Sequence, residues 1–297
     1  MRAAQFDEQG GPEVIRIVEV DEPRPGHGQI RVRVHAAAVN AADWKYRRGR
    51  YRATLPLIGG SDAAGVVDEV GAGVTGVAVG DDVLGNAATG AFAEYALLSD
   101  WTGVPTDMSW PEAAGLVMAT ETATRALDAV GVAAGTTVVI NGASGGVGSA
   151  AVQLAVARGA TVVAVAGPSN HDYLVELGAT PVSYGDGMAD RVRAAAPAGI
   201  DVAVDIAGSK VIPQLIELTG DPAAVVSIAD FGAPKLGAKV TDGSEGRRWD
   251  ALRTATDLFE QGRFRVDIQQ TFPLERLGEA QALLEEGHVR GKLVIEF

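Results

Sequence analysis

The amino-acid sequence predicts an α/β fold with two domains, one built on a parallel sheet and one rich in β-strands. Three observations support this prediction. With 297 residues, the chain is long enough for two domains of about 150 residues each. Its first hundred residues contain short strand-like segments separated by Gly and Pro, whereas strand-like and helix-like segments alternate after Ser109. A glycine-rich turn at 142–148 joins one of the later strands to a helix.

The first part of the chain reads as a series of short strands. Residues 14–20 and 30–34 alternate or nearly alternate between apolar and polar side chains, as half-buried strands do. Residues 64–70 precede a Gly-Ala-Gly turn and repeat the strand-then-turn pattern. Residues 80–85 indicate a turn that enters another short strand. We therefore expect a β-rich domain at the N-terminus.

The pattern after Ser109 is typical of a sheet covered by helices. Ser109, Pro111 and Glu112 form a helix start, with an N-cap serine, an early proline and a glutamate at the third helical position. Alternating strands and helices imply right-handed crossovers and parallel strands. The predicted strands are 137–140, 161–165, 182–184, 202–206 and 225–228. Strand-like sequence returns near Phe264, and a helix at 277–285 and a strand at 292–297 close the chain.

The segment 138–148 carries the most specific signal in the sequence. Gly145 lets the main chain approach phosphate groups with no side chain in the way, and Gly148 permits close packing of helix on strand. The first helical turn adds unpaired N–H groups and the positive end of the helix dipole. Ala143 replaces the first glycine of the usual pattern, but the strand–turn–helix context favours a dinucleotide site over an incidental turn. The expected cofactor contacts are Ala143, Ser144, Gly145, Gly146, Val147 and Gly148.

Composition limits the classes of function. The 25 basic and 38 acidic residues leave a net charge of −13, which argues against nucleic-acid and anionic-membrane partners. The absence of cysteine excludes disulfides, thiolate metal sites and a cysteine nucleophile. The N-terminus does not read as a signal peptide, and no apolar run reaches the roughly 18 residues of a membrane span. We therefore expect a soluble, cytoplasmic protein.

The choice between NAD and NADP depends on the end of the second strand of the parallel sheet. An acidic residue there would bind the ribose 2′-OH of NAD. No carboxylate follows this strand until Asp172, which we expect inside the next helix. A 2′-phosphate would therefore meet no repulsion, and Ser169, Asn170 and Tyr184 can donate hydrogen bonds to it. NADP (NADPH) is the predicted cofactor, although no Arg or Lys is evident for the phosphate and Tyr184 can instead simply pack at the sheet edge.

Seven short motifs occur in order along the chain, at 39–45, 60–65, 80–83 with 90–95, 142–148, 177–179, 201–208 and 291–294. Together they resemble the medium-chain dehydrogenase/reductase superfamily, in its zinc-free quinone oxidoreductase branch. The resemblance implies a GroES-like β-barrel catalytic domain at 1–118 and 264–297. A Rossmann NADP-binding domain at 119–263 would interrupt it, with the active site in the cleft between the two. It also implies a homodimer formed through the edges of the Rossmann sheets.

Departures from the zinc-dependent members bear on the chemistry. Asn40 stands where those members place a ligating cysteine, and Ser61-Asp62 stand where they place a His-Glu pair. The structural-zinc lobe with its four cysteines is missing. The four histidines are scattered, and none has metal-ligand spacing. We expect no metal site, which leaves a metal-dependent alcohol dehydrogenase as the weakest candidate.

Hydride transfer to an activated acceptor is the favoured reaction without a Lewis acid. A quinone, or an alkene conjugated to a carbonyl, spreads the incoming charge onto oxygen, so one or two hydrogen-bond donors and a proton derived from water suffice. The candidate catalytic residues are Asn40, Lys45, Tyr46 and Tyr51. A capping role for Asn40, and solvated or packing roles for the other three, stay open. We expect Asp43 and Asp62 to cap turns or to pair with nearby arginines.

The resemblance also implies further cofactor contacts. Asn40 would contact the nicotinamide ribose or the substrate, Thr122 would lie near the nicotinamide carboxamide, and Lys292 would lie near the cofactor. Glu121 stands where relatives usually carry an apolar residue, and pairing with Arg125 one turn later is favoured over a role as an acid. Ligands bind at the carboxyl ends of parallel strands. This rule adds the strand-end residues Ile206, Ala207, Ile228 and Ala229.

Three functions are compatible with these observations. The favoured one is an NADPH-dependent reductase of quinones or α,β-unsaturated carbonyl compounds. A pathway-specific enoyl reductase of secondary metabolism differs from it only in acceptor, which depends on loops near 46–54 and 231–249. A non-catalytic NADPH-binding protein is the third, since the sequence offers no clear general acid.

Overall fold

A computed structural model describes the whole chain, Met1–Phe297. The strands are β1 (Arg2–Phe6), β2 (Arg16–Glu19), β3 (Ile30–Val39), β4 (Leu57–Ile58), β5 (Asp62–Val70), β6 (Asp82–Ala87), β7 (Tyr95–Gly103), β8 (Thr137–Asn141), β9 (Thr161–Ala166), β10 (Thr180–Ser183), β11 (Val202–Asp205), β12 (Val225–Ser227), β13 (Lys239–Val240), β14 (Ile268–Pro273) and β15 (Lys292–Glu296). The helices are α1 (Ala41–Arg47), α2 (Trp110–Ala129), α3 (Gly146–Ala157), α4 (His171–Glu176), α5 (Met188–Ala195), α6 (Ile212–Thr219), α7 (Asp250–Glu260) and α8 (Leu277–Glu286). No helix combines the length and the apolar character that a membrane-spanning segment requires.

The chain divides into two compact units. The first contains Met1–Met118, Leu252–Glu260 and Arg265–Phe297. Its main sheet has the order β14-β15-β3-β5-β6-β7, and an additional pairing of β3 with β7 closes the sheet on itself. Because alternate side chains of these strands point inward, the closed sheet encloses an apolar core that includes Val32, Phe92 and Leu98. A smaller sheet, β2-β1-β4, belongs to the same unit.

The second unit contains Ala119–Ala251 and Gln261–Phe264. Its six strands are parallel in the order β10-β9-β8-β11-β12-β13. The strand order runs outward in both directions from β8, so β8 marks the switch point at which ligands bind in open sheets of this kind. The central strands are almost continuously apolar and buried, as in a sheet covered on both faces.

The predicted fold class is confirmed, and the boundaries differ by one or two residues at most of the predicted strands. The largest departure is the expected strand at 30–34, which continues to Val39 as β3. The expected strand at 14–20 is shortened. The structure instead has a short 3-10 turn at Pro12–Val14, followed by β2 at Arg16–Glu19. Pro12 fixes the backbone at the start of this turn, so the strand begins only beyond it. The strands β1, β4, β7 and β13 were not predicted.

Candidate active site

The strand register of the first unit brings Asn40, Asp62 and Lys292 together. In β3, Ala38 lies opposite Asp62 of β5, and the next residue, Val39, lies opposite Leu293 of β15. Asn40 directly follows Val39, and Lys292 directly precedes Leu293. Two residues far apart in the sequence therefore flank Asn40, one from each neighbouring strand.

These three side chains form a buried hydrogen-bonded network. The Lys292 ammonium donates to Asn40 Oδ1 at 2.6 Å and lies 3.5 Å from Asp62 Oδ2. Asn40 Nδ2 donates to Asp62 Oδ2 at 3.0 Å. Burial raises the pKa of the Asp62 carboxyl, and Lys292 and Asn40 oppose this rise. The prediction that Asp62 pairs with an arginine is wrong, because the cation beside the Asp62 carboxyl is Lys292.

Asp43 connects this network to the loop before β5. Its Oδ2 accepts the main-chain N–H of Asn40 at 2.7 Å, and its Oδ1 accepts that of Gly60 at 3.2 Å. Asp43 therefore caps helix α1, as expected. Burial raises its pKa to about 7, and the nearby Asp62 charge adds to that rise. The carboxyl is thus able to exchange a proton near neutral pH.

The other three catalytic candidates cluster around the C-terminal half of α1. Lys45 Nζ lies 3.5 Å from Tyr51 Oη and 5.5 Å from the centre of the Tyr51 ring. The Tyr46 and Tyr51 rings meet edge to face at 5.3 Å. Burial lowers the pKa of Lys45, and the charge of Arg50 adds to this effect. Lys45 is therefore a stronger proton donor than an exposed lysine.

A pocket of about 490 Å³ lies within the first unit, in the size range of small-molecule sites. Its apolar walls include Phe6, Leu57 and Phe92, and Asp43 and Tyr46 also line it. Thr54, Ser61, Thr89 and Gln281 contribute polar atoms. The pocket suits a compact ligand with an apolar body and few polar groups.

The glycine-rich turn of the second unit has the geometry that a pyrophosphate needs. A Cβ at Gly148 would lie 2.0 Å from the Gly142 carbonyl oxygen, so only glycine permits this approach of α3 to the turn. At Gly145 a Cβ would meet nothing closer than 3.8 Å, so the main chain at the start of α3 is open to a ligand. The side chain of Ala143 is fully buried, whereas 144–147 are partly exposed. The turn therefore fits a dinucleotide phosphate.

A buried polar cluster terminates three adjacent strands of the same sheet. Asn141, Asp205 and Ser227 lie side by side in register at the ends of β8, β11 and β12. The Asp205 carboxylate accepts from Asn141 Nδ2 at 2.9 Å, from Ser227 Oγ at 2.7 Å and from the Gly208 N–H at 3.0 Å. This cluster holds the partly exposed strand-end segments that carry Ile206, Ala207, Ile228 and Ala229. We did not predict it, although a polar residue ending each of three apolar strands was a visible signal.

The residues predicted for a 2′-phosphate lie at the neighbouring ends of β9 and β10. Asn170 Nδ2 donates to Ser144 Oγ at 3.2 Å, which links this segment to the glycine-rich turn. Tyr184 is about half exposed and lies beside Gly167. Arg191, which we did not predict, donates to the main-chain carbonyls of 183–186 at 2.8–3.3 Å. Arg191 therefore fixes the loop that carries Tyr184 and brings a positive charge to it.

Glu121 and Thr122 belong to a further buried network of the second unit. Glu121 pairs with Arg125 at 2.9 Å, as predicted, and also with Arg247 at 3.1 Å. Thr122 Oγ1 lies 3.1 Å from Glu121 Oε2. Hydrogen bonds and two cationic partners therefore stabilise the Glu121 carboxylate in its buried position.

The histidines and acidic residues form no arrangement of three or more side chains suited to a metal ion. His35 lies in β3 and stacks on Trp110 at 4.8 Å.

Comparison with known proteins decides the family. Residues 26–108 match the alcohol dehydrogenase GroES-like domain, and residues 177–295 match the zinc-binding dehydrogenase family. A quinone oxidoreductase of Rattus norvegicus is 32% identical over 99% of this chain and 97% of its own length. The chain belongs to the quinone oxidoreductase branch of the medium-chain dehydrogenase/reductase superfamily.

Two further proteins are similar to this chain over nearly its whole length. A chloroplastic NADPH-dependent alkenal/one oxidoreductase of Arabidopsis thaliana is 29% identical over 99% of this chain and 79% of its own. The structure of the quinone oxidoreductase from Coxiella burnetii covers 100% of this chain and 99% of its own, with 31% identity and a TM-score of 0.88. The chain is therefore an oxidoreductase of a family that binds nicotinamide cofactors.

Proposed function

We propose that the chain is an NADPH-dependent reductase that transfers hydride to a quinone or an α,β-unsaturated carbonyl compound. The observation that carries this proposal is the open main chain at Gly145, at the N-terminus of α3, next to a strand end without a carboxylate. The names of the rat and Arabidopsis relatives support both classes of acceptor. In this proposal the first unit is the GroES-like catalytic domain and the second is the Rossmann domain.

Preference for NADPH over NADH is supported by charge and by hydrogen-bond donors. Asp172 lies within α4 and is exposed, so no carboxylate ends β9. Ser169, Asn170 and Tyr184 would donate to a 2′-phosphate. Arg191 makes no ion pair, and its donors hold main-chain carbonyls, so its charge remains available to attract an anion near Tyr184. Arg191 would supply the cation that was not identified from the sequence.

The bound cofactor would supply the hydride, and the chain's own residues would position it. The pyrophosphate would lie on the N–H groups at 144–148, beside the buried Ala143. Thr122, Ile206, Ala207, Ile228 and Ala229 would line the nicotinamide half within the second unit. Asn40 and Lys292 stay cofactor contacts predicted by the resemblance.

Charge that develops on the acceptor oxygen needs hydrogen-bond donors. The Lys292 ammonium and the Asn40 amide are held rigidly by Asp62, which makes them preorganised donors. Lys45, with its lowered pKa, and the adjacent Tyr51 and Tyr46 would deliver or relay a proton. Of these donors, Tyr46 lines the pocket, whose apolar walls would hold the ring of the acceptor.

The proposal is tested by incubating the purified chain with NADPH or NADH and a panel of quinones and enones, and by following cofactor absorbance at about 340 nm. We expect oxidation of NADPH, at least about tenfold more efficient than that of NADH, since a charged phosphate contact contributes about 1.5–3 kcal/mol. No oxidation above background with any acceptor would refute it. Tight NADPH binding without turnover would then favour a non-catalytic cofactor-binding protein.

A pathway-specific enoyl reductase would instead turn over one enoyl substrate class and ignore simple quinones. The homodimer and the cytoplasmic location stay predictions from the sequence.

A further inference from the structure

Glu121 is a completely buried carboxylate that is saturated with donors. Its Oε1 accepts from Arg125 Nε at 2.9 Å and from the Arg248 main-chain N–H at 3.2 Å. Its Oε2 accepts from Arg247 Nη1 at 3.1 Å and from Arg125 Nη2 at 3.3 Å. Burial favours the neutral acid, but the hydrogen bond and charge of Arg125, together with Arg247, outweigh burial and lower the pKa of Glu121. Glu121 is therefore ionised at neutral pH.

An ionised carboxylate carries no proton and can only accept hydrogen bonds. Thr122 Oγ1 lies 3.1 Å from Glu121 Oε2, so the single hydroxyl proton of Thr122 must point at Glu121. Only the lone pairs of the Thr122 hydroxyl oxygen then remain available to a ligand. Thr122 as a whole is 8% exposed, and a ligand that reaches its hydroxyl has to be a donor.

We propose that Glu121 is a positioning residue that makes Thr122 an obligate hydrogen-bond acceptor, so that Thr122 recognises the NH₂ end of the nicotinamide carboxamide and rejects its carbonyl end. This inference rests on the proposed NADPH site, in which Thr122 faces the carboxamide. The NH₂ group is the only donor of the carboxamide. Its contact with Thr122 fixes the rotation of the amide about the bond to the ring.

The same network also supports a neighbouring segment of the second unit. Arg125 Nη1 donates to Thr241 Oγ1 at 2.6 Å, and the Thr241 N–H donates to the Ser227 carbonyl at 3.2 Å. A change at Glu121 therefore disturbs the fold around the strand ends as well as Thr122. The test has to separate these two effects, because loss of support lowers the affinity for every cofactor equally.

The decisive readout is the ratio of two dissociation constants, measured by calorimetry with NADP⁺ and with its 3-acetylpyridine analogue. The analogue replaces the NH₂ group by methyl and keeps the carbonyl. For the wild-type chain we expect NADP⁺ to bind about five- to tenfold more tightly than the analogue, the value of one neutral hydrogen bond. T122V should bring the ratio close to one, and T122S should keep it.

Two variants test Glu121 itself. E121Q places an amide donor beside Thr122 and releases its proton, and E121D keeps the charge but withdraws it from the hydroxyl. Both should lower the ratio about fivefold. R247M, which removes one cation from the same network and leaves Arg125 in place, should weaken both ligands equally and keep the ratio.

A wild-type ratio near one with tight NADP⁺ binding would overturn the inference and leave the proposed function standing. A wild-type ratio retained in E121Q or E121D would also overturn it. Absence of NADP⁺ binding to the wild-type chain would instead refute the proposed function.

Discussion

Replacing Lys292 by Met removes the cation of the buried network around Asp62. The two charges lie 3.5 Å apart, which corresponds to about 5 kcal/mol at an effective dielectric constant of about 20. The variant escapes part of this loss, because Asp62 can take up a proton. Protonating a carboxyl with the ordinary pKa of aspartate costs about 4 kcal/mol at about pH 7 and only about 1.5 kcal/mol at about pH 5. We therefore expect K292M to lose about 3–4 kcal/mol of unfolding free energy near pH 7.

The pH dependence has a definite sign. Without Lys292, the pKa of folded Asp62 rises further above its unfolded value, so the folded state holds a proton that the unfolded state releases. Stability of K292M relative to wild type therefore falls as the pH rises from about 4 toward the folded pKa. The loss should shrink to about 1–2 kcal/mol near pH 5.

Urea unfolding at about pH 5 and pH 7 measures both values, with K235M as the matched control. Lys235 is exposed, so its loss should cost less than about 0.5 kcal/mol. K292M/D62N should cost about 2 kcal/mol less than the sum of the single variants, because removing both charges leaves neither unpaired. A pH-independent loss, or full additivity of the two changes, would refute the assignment of Lys292 and Asp62 as a charge pair.

Three further predictions concern single positions. D43N removes a carboxyl whose pKa is raised to about 7, and whose ionisation therefore destabilises the fold as the pH rises from about 4. The free energy of unfolding in urea of D43N, relative to that of wild type, should rise by about 3 kcal/mol between about pH 5 and pH 8. The same difference between the two proteins at both pH values would contradict this. G145A should weaken NADPH binding at least about tenfold with little change in melting temperature, whereas G148A should lower stability by about 2 kcal/mol or more, because its Cβ meets a carbonyl at 2.0 Å. Equal melting temperatures for these two variants would argue against the turn geometry. S169D should reduce the NADPH/NADH preference at least about tenfold in titrations, and an unaltered preference would place the 2′-phosphate elsewhere.

The sequence was sufficient for the fold class because periodicity and turn residues are local signals. The strands at β8 and β9 follow from apolar runs, and α3 follows from the glycine-rich turn before it. Residues 14–20 show the limit of this reasoning. Their alternation is that of a strand, but Pro12 sets the backbone just before them and delays its start. Local constraints of this kind compete with periodicity, and the pattern alone does not show which prevails.

Candidate site residues were named from the sequence, but the contacts between them were not. Asn40 and Lys292 could be named as cofactor contacts by resemblance, yet their hydrogen bond depends on the register of β15 against β3 across 252 positions of sequence. Arg191 was missed because its role depends on the curvature of the loop at 183–186, which turns four carbonyls toward one guanidinium. Long-range register and loop geometry arise from tertiary packing, and neither leaves a local sequence signal.

The chemistry of position 40 follows from its two neighbours. The side chain there has to accept from the Lys292 ammonium and donate to the Asp62 carboxylate at the same time. An amide does both without a net charge, and the direction of its oxygen and nitrogen is fixed because the reverse arrangement would set donor against donor and acceptor against acceptor. Aspartate would place a second carboxylate against Asp62, and leucine would leave both charges without their hydrogen bonds. Asn40 is therefore best understood as the neutral link of a charged pair. That link keeps the ammonium of Lys292 and the remaining amide N–H of Asn40 fixed in position as donors, as the proposed stabilisation of a developing oxyanion would require.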